Sequence, residues 1–118
     1  MRELNSHKVN PANDKLTVLV HDEPGSGGAH HQYSITLPDQ QRYHIDFQNG
    51  PIAEAGVNGL THEALLAILI DRLECFQKGN FANSYNQRAL EHMVGAQESL
   101  KDRTRERMTR GVEGRHTV

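Results

Sequence analysis

The sequence predicts an α+β fold in which a small antiparallel β-meander precedes a two-helix antiparallel hairpin. Three short segments of the first half alternate apolar and polar residues, whereas two longer segments of the second half carry apolar residues at helical spacing. Proline, glycine and asparagine separate these segments. We expect one domain over residues 1–118, built from a loose lead-in (1–14), the meander with its ligand loops (15–59), and the hairpin with a basic tail (60–118).

The apolar content is low for a chain of this length. Of the 118 residues, 36% are hydrophobic and none is tryptophan, and the mean hydropathy is −0.70. A small domain with a poor core is only marginally stable, and contact between subunits can bury the missing apolar area. The composition therefore predicts a homo-oligomer.

Charge and length exclude several classes of protein. The net charge is −2, although residues 101–118 hold six basic and three acidic side chains. Binding of duplex DNA needs many basic contacts along one surface, so we expect no duplex nucleic acid as partner. The longest apolar run is too short to span a membrane, and the single Cys75 excludes an internal disulfide. We therefore expect a soluble intracellular protein.

The meander is predicted from period-two alternation in residues 16–20, 33–37 and 43–47. A glycine-rich loop, HDEPGSGGAH, separates the first two strands, and a proline-led turn separates the second from the third. The segment QNGPIAEAGVNG, residues 48–59, follows the third strand and predicts irregular backbone, because Asn-Gly pairs favour positive φ.

The hairpin is predicted from its caps and its spacing. Thr61 caps a helix that ends near Gln77, and this helix is apolar on nearly all sides, so a second helix or a neighbouring subunit must cover it. The second helix begins near Asn83 and ends near Arg110, before Gly111. Its narrow apolar stripe consists of Ala89, Met93, Ala96 and Leu100.

The same spacing continues this stripe into a row of arginines, Arg103, Arg107 and Arg110. Arginines at a place where helices converge repel each other unless an anion lies between them. The row therefore indicates an anion site. The alternative is a solvated helix end, where the helix dipole favours cations.

Two ordered stretches carry a family resemblance. They are FQNGPIAEAGVNGLTHEALLAILIDRLECFQKGNF, residues 47–81, and RTRERMTRGVEGRHTV, residues 103–118. Together they resemble the hairpin domain of the phage nucleotide-sponge family of Thoeris and CBASS anti-defence proteins. The resemblance implies a non-catalytic protein without a cofactor that binds cyclic ADP-ribose isomers, and also CBASS cyclic trinucleotides, in the cytoplasm of the infected or lysogenic bacterial host. It further implies assembly as a homodimer or homohexamer.

Within that resemblance, a cyclic ADP-ribose site needs a flat wall for the base, amides for base edges and ribose hydroxyls, and donors for the phosphates. The residues that match these needs are Phe47, Gln48, Asn49, Gly50, Pro51, Asn58, Arg72 and Phe76. Phe47 can instead be a core residue of the third strand. The two Asn-Gly pairs can be plain turns, and Arg72 can pair with an acid on its own helix.

A cyclic trinucleotide site is implied at the C-terminal end of the hairpin, where several copies would meet. Its candidate residues are Arg103, Arg107, Arg110, Gly111, Val112, Glu113, Gly114 and Arg115. Two positions depart from the family pattern. Arg115 stands where the family has threonine, and the hairpin turn Gly79-Asn80-Phe81 lacks the proline of the family's Gly-Pro-Phe run.

Two other function classes remain open. A phosphodiesterase could use the histidines near the glycine-rich loop, His21, His30 and His31, although their spacing predicts no metal site. A structural or DNA-associated adaptor could use the basic tail. Ser26 lacks the strand–turn–helix context of a nucleophile elbow, and Cys75 is expected in the core.

Overall fold

The computed structural model of the chain describes residues 1–111. The chain divides between Gly59 and Leu60 into two units. In the described residues, the first unit contains four β-strands and two short helices, and the second contains two long helices. The α+β class with a meander followed by a hairpin is therefore confirmed.

The strands form one antiparallel sheet in chain order: β1 (Arg2–Leu4), β2 (Thr17–Val20), β3 (Gln32–Thr36) and β4 (Arg42–Asp46). Val20 of β2 lies opposite Tyr33 of β3, which lies opposite Ile45 of β4. These three residues share one face, as alternation predicts. The opposite face is more polar, and there Ser34 of β3 is fully buried.

The N-terminal segment corrects the expectation of a loose lead-in. Arg2–Leu4 pair with β2 as an edge strand. Asn10 then caps α1 (Pro11–Asp14), and its side chain accepts hydrogen bonds from the amides of Ala12 and Asn13. The segment is ordered by pairing with β2 and by one local cap, and it has no buried face. Its sequence therefore shows no apolar periodicity.

After β4, residues 48–59 form the predicted irregular loop, which we call the Asn-Gly loop. It contains the one-turn helix α2 (Ile52–Ala55). Gly50 and Gly56 on either side of α2 have φ of +88° and +73°, a region that glycine adopts without strain.

The second unit is the helical hairpin with the predicted bounds. Helix α3 (His62–Gln77) begins after Thr61, whose hydroxyl accepts a hydrogen bond from the amide of Ala64. Helix α4 (Ser84–Thr109) begins after Asn83, whose side chain accepts from the amide of Asn86 at 2.8 Å. Gly111, with φ of +74°, follows its last turn. No helix within residues 1–111 has the length and apolar character that crossing a membrane requires.

The packing seam of α4 departs by one residue from the predicted stripe at two of its four positions. Ala89 and Ala96 are exposed, whereas Met93 and Leu100 are half-buried as predicted. The half-buried positions of α4 are Asn86, Leu90, Met93, Gln97, Leu100, Lys101, Thr104 and Arg107. Leucine buries more apolar area than alanine does, so the helix turns Leu90 inward in place of Ala89.

Among residues 1–111, helix α3 is covered on one side only. Ile70 is buried, and Leu66 and Leu73 are half-buried, along the face toward α4. Ile68 is 65% exposed and Leu69 is 47% exposed. Cys75 is also exposed, which corrects its expected place in the core. The apolar helix therefore keeps an open face.

Candidate functional site

Two amide side chains close the Asn-Gly loop. The Gln48 side chain donates to the carbonyl oxygens of Gly50 and Gly56 at 3.0 and 2.8 Å. It also accepts from the backbone N–H of Asn58 at 2.9 Å. The Asn58 side chain accepts from the amide of Asn49 at 2.8 Å and donates to the Asn49 carbonyl at 2.7 Å. The ends of the loop are therefore held together by hydrogen bonds rather than by apolar packing.

These bonds separate the roles of the two asparagines. The side-chain amide of Asn58 is hydrogen-bonded to the backbone of Asn49, so Asn58 shapes the loop. The side chain of Asn49 is exposed and makes no hydrogen bond within the described chain. Of the two side-chain amides expected to contact a ligand, that of Asn49 is therefore the one that is exposed to it.

Gly59 and Phe47 fix the base of the loop. A Cβ at Gly59 would lie within 2.7 Å of the backbone nitrogen of Gln48, so no other residue fits there. Phe47 is half-buried and meets the ring of Tyr33 edge-on at 5.6 Å. It is thus partly a core residue of the first unit, which was the alternative to a ligand contact in the sequence analysis.

The glycine-rich loop between β2 and β3 borders the same place. A Cβ at Gly25 would lie 3.4 Å from the His31 ring and 3.8 Å from Oδ1 of Asn49. Ser26–Gly28 form a single 3₁₀ turn in this loop. The sequence marks both loops as turns, but it carries no signal for their contact, because that contact depends on the strand register.

Asp22 anchors the glycine-rich loop. Its carboxylate accepts hydrogen bonds from the backbone amides of His31 at 2.9 Å and Gln32 at 3.0 Å. Partial burial raises the pKa of Asp22, but the hydrogen bonds from Gln32 and His31 outweigh it and hold the pKa below the ordinary 3.8. The carboxylate is therefore a structural anchor for the start of β3.

The nearby histidines have structural partners. His21 Nε2 lies 2.6 Å from the hydroxyl of Ser34, and His30 Nδ1 lies 2.6 Å from the carbonyl oxygen of Asp22. His31 is buried, and its Nδ1 makes no hydrogen bond, although it lies 3.9 Å from the Asp22 carboxylate. Within residues 1–111, no three histidine, cysteine, aspartate or glutamate side chains are grouped as metal ligands. The rings of His21 and His30 are half-buried and each has a hydrogen-bond partner, whereas the ring of His31 is buried.

The remaining two residues of the cyclic ADP-ribose prediction lie on α3, in the second unit. The guanidinium of Arg72 lies over the ring of Phe76, 4.9 Å from its centroid. Phe76 meets Phe81 of the hairpin turn edge-on at 6.1 Å. The sequence prediction did not include Phe81. Phe81 is 73% exposed.

The predicted arginine row does not lie on one equally buried stripe. Arg107 is half-buried on the seam. Arg103 is exposed, with Nη2 3.8 Å from the Glu63 carboxylate, and Arg110 pairs with Glu106 one turn earlier. The other predicted residues of this site, Val112, Glu113, Gly114 and Arg115, lie outside the described residues.

Comparison with known proteins covers the loop and the hairpin. Residues 39–100, from the turn before β4 into α4, match the model of the family described as Acb2/Tad1, hairpin domain. Thoeris anti-defense 1 of Bacillus phage SBSphiJ7 is 43% identical over 72 residues, which cover 61% of this chain and 51% of that relative. The chain thus spans about half the length of that relative. Because the family match extends over more than half of the 118 residues, as the resemblance predicted, the chain belongs to the Acb2/Tad1 hairpin-domain family.

Proposed function

We propose that this chain counters a bacterial defence by binding cyclic nucleotide signals and holding them uncleaved, with cyclic ADP-ribose isomers as the main ligands. The observation that carries the proposal is the family match over residues 39–100, supported by the name of the phage relative, Thoeris anti-defense 1. This action belongs in the cytoplasm of the infected or lysogenic host, where a defence signal would be made.

The Asn-Gly loop of the first unit supplies polar groups for ligand binding. The free amide of Asn49 can both donate and accept, which suits the edge of an adenine or a ribose hydroxyl. Gly50, at positive φ, lacks a side chain, and its backbone N–H can donate to a phosphate. Gln48, Pro51 and Asn58 keep this geometry, and Phe47 borders it. Arg72 and Phe76 lie on α3, in the second unit, where they offer a cation and a flat ring.

Self-association is part of the proposal. The open face of α3, with Ile68 and Leu69, needs a cover of apolar character, and a second copy provides one. A homodimer, or a homohexamer built from it, would also bring C-terminal ends together. There Arg103, Arg107, Arg110 and Gly111, with residues 112–115, would hold a cyclic trinucleotide.

Isothermal titration of the whole chain tests the binding. Cyclic ADP-ribose isomers and cyclic trinucleotides are titrated separately, with linear ADP-ribose as the comparison ligand. We expect tight binding of a cyclic isomer. Asn49→Ala should weaken it, whereas Asn80→Ala, an exposed asparagine of the hairpin turn, should leave it unchanged. No binding of any cyclic ligand would refute the proposal.

A further inference from the structure

The Asn-Gly loop contains two asparagines that are each followed by glycine, Asn49-Gly50 and Asn58-Gly59. In such a pair the backbone nitrogen of the glycine can attack the side-chain carbonyl carbon of the asparagine, because glycine has no side chain that shields this nitrogen. The reaction is deamidation, and it needs no enzyme. In a folded chain it requires that the side-chain amide and the glycine nitrogen are free to meet, so the surroundings of each pair decide its rate.

The Asn58-Gly59 pair is held at both of the groups that would have to meet. The side chain of Asn58 accepts from the backbone nitrogen of Asn49 at 2.8 Å and donates to its carbonyl oxygen at 2.7 Å. The backbone of Gly59 is packed so closely that a Cβ there would overlap the carbonyl group of Phe47. Ring closure at Asn58 therefore requires that two hydrogen bonds break and that a tightly packed segment moves.

The Asn49-Gly50 pair leaves both reacting groups available. The side chain of Asn49 is exposed and makes no hydrogen bond within the described residues, and the backbone nitrogen of Gly50 donates none there. The restraints on this pair are the hydrogen bonds to the carbonyl oxygens of Asn49 and Gly50, which limit rotation of the backbone. We therefore expect deamidation of Asn49 to be slower than in an unfolded chain but faster than that of Asn58.

We propose that Asn49 is a site of spontaneous deamidation and that the contacts of Asn58 and Gly59 protect the second pair. The nitrogen of Gly50 forms a bond to Cγ of Asn49, the bond from Cγ to the side-chain nitrogen breaks, and ammonia leaves with the proton of the Gly50 N–H. Water then opens the cyclic imide. Opening at the side-chain carbonyl yields aspartate with the original backbone, and opening at the backbone carbonyl yields isoaspartate, in which the backbone runs through Cγ.

Either product replaces the exposed amide of the loop by a carboxylate. The amide both donates and accepts hydrogen bonds, whereas the carboxylate only accepts them and adds one negative charge to the chain. This modification goes beyond the proposed function, because it is a reaction of the chain with water alone. If Asn49 contacts an anionic ligand as proposed, the converted chain should bind that ligand less tightly, since like charges repel.

Peptide mapping of the whole chain after incubation at mildly alkaline pH tests the proposal. Mass spectrometry with fragmentation locates the gain of about 1 Da that accompanies replacement of NH₂ by OH. In the folded chain, Asn49 should convert at least about tenfold faster than Asn58, whose side chain must first break two hydrogen bonds. In a urea-denatured sample the two pairs should convert at similar rates, because the structural restraints are then absent.

Asn80 provides a matched control. It is as exposed as Asn49 in the sense that both lie on the surface, but it is followed by Phe81, whose side chain shields the attacking nitrogen. Ion-exchange chromatography follows the acidic form of the whole chain during the incubation. Asn49→Gln should largely abolish this form, because a glutamine would have to close a larger ring, whereas Asn80→Gln should leave its rate of formation unchanged.

Three results would overturn the proposal: conversion of Asn58 at a rate equal to or above that of Asn49 in the folded chain, a folded chain that keeps Asn49 intact while the denatured chain converts, or an acidic form that persists in Asn49→Gln. None of these measurements uses a ligand, so their failure is separate from that of the proposed function. Calorimetric titration of the purified acidic form with a cyclic ligand tests the latter. An affinity unchanged by conversion would reject the ligand contact of Asn49 and leave the modification standing.

Discussion

One side chain, Asn58, satisfies both backbone hydrogen-bonding groups of Asn49. Asn58→Ala should therefore lower the free energy of unfolding by about 1–2 kcal/mol, since two hydrogen bonds are lost at an exposed site. It should weaken binding of a cyclic ligand more strongly, because Asn49 loses its fixed position. Urea unfolding gives the first quantity and calorimetric titration the second.

Asn58→Asp is the matched control for this prediction. It keeps the acceptor for the Asn49 amide and loses the donor to the Asn49 carbonyl, so its stability should fall between those of the wild type and Asn58→Ala. A wild-type unfolding midpoint and wild-type affinity in Asn58→Ala would show that the hydrogen bonds of Asn58 do not hold the loop.

Also at the residue scale, Asp22 predicts an acid-sensitive step. Its pKa is lower in the folded chain than its ordinary 3.8, so the carboxylate stabilises the fold above that value, and this contribution is lost as the pH falls through the lower, folded pKa. The urea midpoint of the wild type should fall between about pH 5 and pH 3 by more than that of Asp22→Asn.

The neighbouring Glu23→Gln controls for the removal of one negative charge, because the exposed Glu23 side chain makes no hydrogen bond within the described residues. It should keep the acid sensitivity of the wild type. Identical acid profiles for the wild type and Asp22→Asn would contradict the anchoring role of Asp22.

At the scale of elements, the register of α4 against α3 is directly testable. Leu100 lies on the seam, so Leu100→Ala should lower the free energy of unfolding by roughly 2 kcal/mol or more. Ala96 is exposed, so Ala96→Gln should change it by less than about 0.5 kcal/mol. Thermal unfolding of both variants compares them. A large loss in Ala96→Gln would contradict the observed register and restore the stripe predicted from the sequence, in which Ala96 and Leu100 are both buried.

The elements show which features a sequence can predict. The caps at Thr61 and Asn83 are local, so both helix starts were predicted within a residue. Two positions of the α4 seam were predicted wrongly, because alanine tolerates both buried and exposed positions and so does not indicate which face of a helix is buried. Strand β1 and the approach of Gly25 to Asn49 were missed, because each depends on partners far along the chain. In the candidate site, the residue types of the Asn-Gly loop were predicted, but the division of roles between Asn49 and Asn58 required coordinates.

At the scale of the whole molecule, the apolar surface predicts self-association. Val20 and Ile70 are the buried hydrophobic residues within residues 1–111, whereas Ile68 and Leu69 remain open on α3. Ile68→Glu should shift sedimentation toward the monomer, because a charge would be desolvated in the contact. Val9→Glu, at a position 85% exposed in the first unit, should not. A wild-type chain that sediments as a monomer at every concentration would contradict this prediction.

Recovery of the bound ligand shows whether the protein stores the signal, as we propose, or destroys it. The protein is saturated with a cyclic ADP-ribose isomer, freed of excess ligand, denatured by heat, and the released nucleotide is identified by chromatography. We expect release of the intact cyclic isomer in an amount matching the bound protein. Release of a linear or otherwise cleaved product would contradict it and make the chain an enzyme.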